Sequence, residues 1–143
     1  MSSTGLRAKL FILVAALLAA AATPATAATL TFKANLQGVG GSNSKATGVL
    51  TALYDTDTKQ LSWRGTYKRL GTYAIGASFH GPAAADQNAG IVVRLRSFDN
   101  PFDGTAILSD KQAGQLIAGR WYILVRTAAH PAGEIRGQIL GAN

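Results

Sequence analysis

From residue 29 onward, apolar and polar positions alternate with a period of two, in short runs broken by Gly-, Pro- and Asn-rich turns. This pattern predicts half-buried antiparallel strands rather than helices. Over residues 29–37, Leu30, Phe32, Ala34 and Leu36 oppose Thr31, Lys33 and Asn35. A second strand is expected over 47–54, with its register open, because Val49/Leu53 and Leu50/Tyr54 both offer apolar faces. A third, over 60–68, turns Leu61, Trp63 and Tyr67 inward and Ser62, Arg64, Thr66 and Lys68 outward. In the fourth, over 72–80, Tyr73, Ile75, Ala77 and Phe79 share one face. A fifth covers 90–96, with Ile91, Val93 and Leu95 on the core side and Arg94 and Arg96 opposite. Residues 97–104 hold two Phe, two Asp and a Pro and are expected to be irregular, followed by a short strand over 105–108. One or two helical turns are predicted over 110–118, with Asp110 as N-cap, Leu116 and Ile117 buried and Gly119 as terminator.

The clearest unit closes the chain. Strands over 121–127 and 134–140 flank a turn that holds His130, Pro131 and Gly133. Trp121, Ile123 and Val125 face one way and Tyr122, Leu124 and Arg126 the other, while Ile135, Gly137 and Ile139 alternate with Glu134, Arg136 and Gln138. Seven to eight short strands and one short helix imply an all-β chain, an antiparallel β-sandwich or a barrel-like relative.

The N-terminus changes the picture. Arg7 and Lys9 precede an apolar run over 10–22, and Ala25-Thr26-Ala27 follows Pro24 as a small-x-small site. These parts, in this order, predict a signal peptide over 1–27, cleaved after Ala27, and hence a secreted or periplasmic protein. The run is short for a membrane anchor. Residues 28–143 then form one domain, large enough to bury a core without cross-links. The chain has no cysteine, so packing and strand pairing must supply its stability. Loss of Arg7 and Lys9 lowers the formal charge from +7 to +5. A basic exported domain suits anionic partners such as acidic glycans or lipid headgroups, although such a charge also serves solubility alone.

Two segments together carry a family resemblance. The first is Ala77-Ser78-Phe79-His80-Gly81-Pro82-Ala83 with the later Gly90-Ile91-Val92-Val93. The second runs from Ala118-Gly119-Arg120-Trp121-Tyr122 through Arg126-Thr127 to Gly133-Glu134-Ile135-Arg136-Gly137-Gln138-Ile139. The chain resembles the CHRD domain, repeated in chordin and found singly in exported microbial proteins. The resemblance implies an extracellular β-sandwich of immunoglobulin-like or Cu/Zn superoxide dismutase-like Greek-key build. It makes His80, Gly81, Gly133, Glu134, Arg136, Gly137 and Gln138 motif residues, of an architectural kind. Members usually carry His-x-His-Gly where this chain has Ser78-Phe79-His80-Gly81, and a His where it has Arg126. Two His spaced by one residue share a strand face and could hold one metal ion. Here a single imidazole remains, and Arg126 adds a fixed positive charge.

The candidate chemistry is sparse. His80 is the sole candidate metal ligand, read against an imidazole that fixes the following loop through a backbone carbonyl. Glu134 is expected to neutralise a guanidinium on the face of Arg136 and Gln138. Arg94, Arg96, Arg126 and Arg136 are the candidates for binding an anion or a partner. Asp99, Asn100, Asp103 and Gly104 lack EF-hand spacing. Ser78 has no histidine partner within its motif and no nucleophile elbow, no acid–base carboxylate pair stands out, and no glycine-rich phosphate loop opens a helix. Aromatic residues fall on core faces, against nucleic-acid stacking. The expectation is therefore a non-catalytic binding or structural module, without cofactor, that meets an extracellular or envelope protein or an anionic glycan or lipid. The alternative is a copper-type metalloprotein with a degenerate site at His80.

Overall fold

The structure, a computed structural model, describes residues 28–142 continuously, with Ala15, Ala16, Ala20 and Thr26 before them. The leader expected over 1–27 thus lies almost wholly outside the described residues, as does its cleavage site at Ala27. Among the described residues no helix is long and apolar enough to cross a membrane.

Eight antiparallel strands and one helix form the chain in the order β1 (Thr29–Gly38), β2 (Thr47–Asp55), β3 (Gln60–Lys68), β4 (Ala74–His80), β5 (Ile91–Arg94), β6 (Phe102–Ile107), α1 (Asp110–Ile117), β7 (Trp121–Thr127) and β8 (Ile135–Gly141). In space they run β5-β4-β7-β8-β1-β2-β3-β6. The sheet folds into two four-stranded layers, β1-β2-β3-β6 and β5-β4-β7-β8, that meet at the β8–β1 pairing. After β5, β6 and α1 the chain returns to lay β7 beside β4. The two outermost strands, β5 and β6, do not pair, and a cleft separates them. The expected all-β antiparallel sandwich with one short helix is what the chain forms.

Alternation dictates the core. Phe32, Leu50, Leu61, Phe79, Trp121 and Ile135 project between the layers and are fully enclosed. Each such side chain contributes about 1.5–3 kcal/mol through burial. Phe79 meets Trp63 edge-on, with ring centres 4.9 Å apart. The open register of β2 resolves with Leu50, Ala52 and Tyr54 inward and Val49 and Leu53 exposed.

Four expectations are corrected. Tyr73 and Ile75 do not continue the inner face of Ala77 and Phe79: the register against β7 shifts between Ala74 and Gly76, and Tyr73 is 75% exposed. Residues 102–104 are strand, because Phe102 pairs with Gly65 and its ring covers that glycine. The helix is capped by Ser109, not Asp110, through a reciprocal Ser109–Gln112 capping box. Its buried residues are Ala113 and Leu116, whereas Ile117 is exposed.

Candidate functional site

The outer face of the β5-β4-β7-β8 layer gathers most of the motif residues, because cross-strand partners in an antiparallel pair point the same way. The row Arg94, Ser78, Leu124, Arg136 crosses it strand by strand. The next row is His80, Tyr122, Gln138, and Arg126 lies opposite Gly76. Over this face folds the loop of residues 81–90, and outward-pointing polar side chains fasten it. Arg136 donates from Nη1 to Asn88 Oδ1 (2.9 Å) and from Nη2 to the carbonyls of Ala84 (3.1 Å) and Gln87 (2.6 Å). Gln138 Nε2 donates to the carbonyls of Ala83 and Gly119. The Tyr122 hydroxyl donates to the Ala89 carbonyl and accepts from its N–H.

His80 belongs to the same fastening. Its Nδ1 lies 2.9 Å from the Ala89 carbonyl, which can only accept, so Nδ1 carries the proton. Nε2 then accepts from Ser78 Oγ at 2.8 Å. The expectation that Ser78 lacks a histidine partner is therefore corrected: the partner is two residues along the same strand face. Ser78 is fully buried, so this pair offers no substrate a nucleophile. Burial pushes the His80 pKa below its ordinary 6.5; the Ala89 carbonyl opposes this, and the fields of Arg126, Arg136 and Arg94 reinforce it. The imidazole stacks on Tyr122 with ring planes 11° apart. Both ring nitrogens are thus engaged by groups of the protein itself. Among the described residues no three His, Cys, Asp or Glu side chains cluster at metal-binding range.

Glu134, the chain's one glutamate, sits elsewhere. Gly133, at φ +136°, ends the turn, and the Glu134 side chain then enters the end of the sandwich instead of joining Arg136 and Gln138. It neutralises no guanidinium, contrary to expectation. Its carboxylate accepts from Thr127 Oγ1 (2.9 Å), Ser44 Oγ (2.9 Å) and the Gly71 N–H (3.1 Å). Burial raises its pKa, but the hydrogen bonds from Gly71, Ser44 and Thr127, aided by His130, outweigh it and hold the group below 4.5. The carboxylate ties the β1–β2 and β3–β4 connections to the end of β7, beside the backbone bonds Val39 N–H to Glu134 O and Ala128 N–H to Tyr73 O.

The candidate arginines divide. Arg136 is committed to the loop and lies 3.5 Å over the Tyr122 ring. Arg126 is half-buried over Gly76, and its Nε has no partner among the described residues. Arg94 and Arg96 are exposed and both border the cleft between β5 and β6. His80 and Glu134 do not converge on one pocket. Of the loop oxygens, Asn100 Oδ1 is taken by the Tyr67 N–H. The sequence assigned no site role to Tyr122, Thr127 or Ser44. Only Tyr122 and Thr127 carried a signal, since both lie in the motif strand over 121–127.

These features define an antiparallel β-sandwich module whose motif side chains hold loops in place. A family model described as CHRD domain matches residues 20–139, and the chain belongs to the CHRD domain family. Comparison with curated proteins and with solved structures found no match.

Proposed function

We propose that the protein is an exported, non-catalytic recognition module that meets an anionic partner through exposed arginines at one edge of the sandwich. One observation carries this reading: the polar motif residues are consumed in fastening residues 81–90 and the sandwich end, while the Arg94 and Arg96 guanidiniums stay in solvent. The net positive charge and the leader-like N-terminus support it. Retention of the purified protein on an acidic polysaccharide matrix should fall steeply with salt and be lost in R94E/R96E. Retention indifferent to both would sink the electrostatic part of the proposal.

The competing reading is a copper-type metalloprotein built on His80. What speaks for recognition instead is that His80 Nδ1 donates to Ala89 while Nε2 accepts from Ser78, with three guanidiniums adding repulsion for a cation. Titration with copper and zinc separates the two. Tight stoichiometric binding that disappears in His80→Ala would favour the metalloprotein.

A further inference from the structure

The seam between β5 and β6 is where the sandwich fails to close, and the gap is not an inert one. It is a cleft of about 510 Å³ bordered by Val93, Arg94, Arg96 and Ser97 on one side and by Asp103, Thr105 and Ala106 on the other. Trp63, on β3 next to β6, forms part of its wall. The indole covers Gly104, where a Cβ would come within 2.5 Å of Cζ2 and 3.1 Å of Nε1. Trp63 is only 6% exposed, and its Nε1–H is shielded from solvent without any acceptor among the described residues. The other tryptophan, Trp121, does have one, Gln115 Oε1 at 3.1 Å.

We infer that this cleft is a ligand site for a carboxylate-bearing sugar, a uronate unit of an acidic polysaccharide. The inference rests on the recognition reading above and gives it a place and a ligand class. The charges on the wall are two guanidiniums and one carboxylate, a net of one positive charge, which a monoanion compensates. A dianionic phosphate would face Asp103 without such balance. The carboxylate of the ligand takes Arg94 or Arg96 in fork geometry. Asp103 accepts from the sugar hydroxyls, and the hydroxyls of Ser97 and Thr105 serve as further donors or acceptors. The Trp63 indole, as part of the wall, gives a sugar ring an apolar surface to pack on, which sets a bound sugar apart from counterions scattered over a basic surface. The volume accommodates one or two sugar rings.

The chain has two tryptophans, so the purified protein gives two indole N–H resonances, and Trp63→Phe identifies its own by removing it. Titrating with trigalacturonate should move the Trp63 resonance and leave that of Trp121 in place. A neutral galactose trisaccharide should move neither. R94Q/R96Q, which alters only exposed side chains and so should fold, is expected to weaken binding about tenfold or more. Inorganic phosphate that moves the Trp63 resonance at lower concentration than the uronate would overturn the carboxylate assignment. Acidic polysaccharide that binds, with loss in R94Q/R96Q, while the Trp63 resonance stays still would overturn the cleft and leave the recognition reading intact. If wild type binds no acidic polysaccharide at all, both fall together.

Discussion

The Arg136 guanidinium lies 3.5 Å above the ring of Tyr122, and three of its hydrogen bonds end on residues 84, 87 and 88 of the loop folded over that ring. The planar fork is therefore both a lid on an aromatic face and a clasp for a loop. A lysine keeps the charge but, with one nitrogen, cannot reach three acceptors while staying stacked. Arg136→Lys should lose about 1–3 kcal/mol of stability in urea unfolding. Its amide exchange should quicken at Gln87 and Ala89, whose N–H groups bond within this assembly. Unchanged exchange there would show that the loop stands without its clasp.

His80 should make stability fall as the solution turns mildly acidic. Its native pKa lies below 6.5, first because of burial, so the unfolded chain takes up the proton before the native one does. The contribution is complete above 6.5 and is lost as pH drops towards the native value. Stability measured by urea unfolding from pH 7 to about 5 should decline in the wild type. His80→Asn retains a donor for the Ala89 carbonyl and cannot titrate, so its curve should be flatter over the same range. The imidazole NMR titration midpoint of His80 should fall below 6.5, and a midpoint above it would contradict the assigned hydrogen bonds.

Much of this fold could be read along the chain because most strands alternate without interruption. The ends of β1, β2, β3 and β7 fall within a residue of where the pattern puts them. The failures have local causes. A shift of register turns Tyr73 and Ile75 outward although their spacing matches Phe79, since a bulge reverses the faces that follow it. Phe102 to Gly104 looked irregular because two Phe, two Asp and a Pro crowd residues 97–104, whereas in the sheet Phe102 covers Gly65 and Trp63 covers Gly104. Ser109 and Asp110 are both good caps, and only the Gln112 side chain returning to the Ser109 N–H decides between them. Site residues were legible as a motif, but their roles were not. Glu134 finds Ser44 and Gly71 at separations of 90 and 63 residues, which no local pattern encodes.

Gly137 is a motif glycine with a steric reason to be one. A Cβ there would lie 2.5 Å from the Asn35 carbonyl oxygen, where β8 crosses β1 and the two layers join. The obstacle is backbone, which yields far less than the end of a side chain. Gly137→Ala should therefore destabilise the protein by about 1–3 kcal/mol, as overpacking does elsewhere. Gly114→Ala on α1, where a Cβ meets nothing within 4 Å, is the matched control and should be neutral or slightly stabilising. Equal midpoints in thermal unfolding for the two variants would refute the close approach at the layer junction.

Glu134 should dominate the acid side of the stability curve. Its carboxyl titrates below 4.5 in the native state, where burial is outweighed by donors from Gly71, Ser44 and Thr127. As pH falls through 4.5 the unfolded chain binds the proton first, so the contribution of this group is full above that value and disappears as pH drops through the native pKa. Glu134→Gln keeps the shape and one acceptor oxygen, but its amide NH₂ confronts donors that need an acceptor. At pH 7 the variant should be about 1–3 kcal/mol less stable than the wild type. Below 4.5 the gap should narrow, because the wild type then loses what the variant never had. The Asp55 carboxyl, held low by the Thr58 and Asp57 N–H groups, adds an acid slope common to both proteins, so the difference between the two curves isolates Glu134. A gap that stayed constant from pH 7 to about 3 would mean that the charge on Glu134 does not matter, and that shape alone holds the sandwich end together.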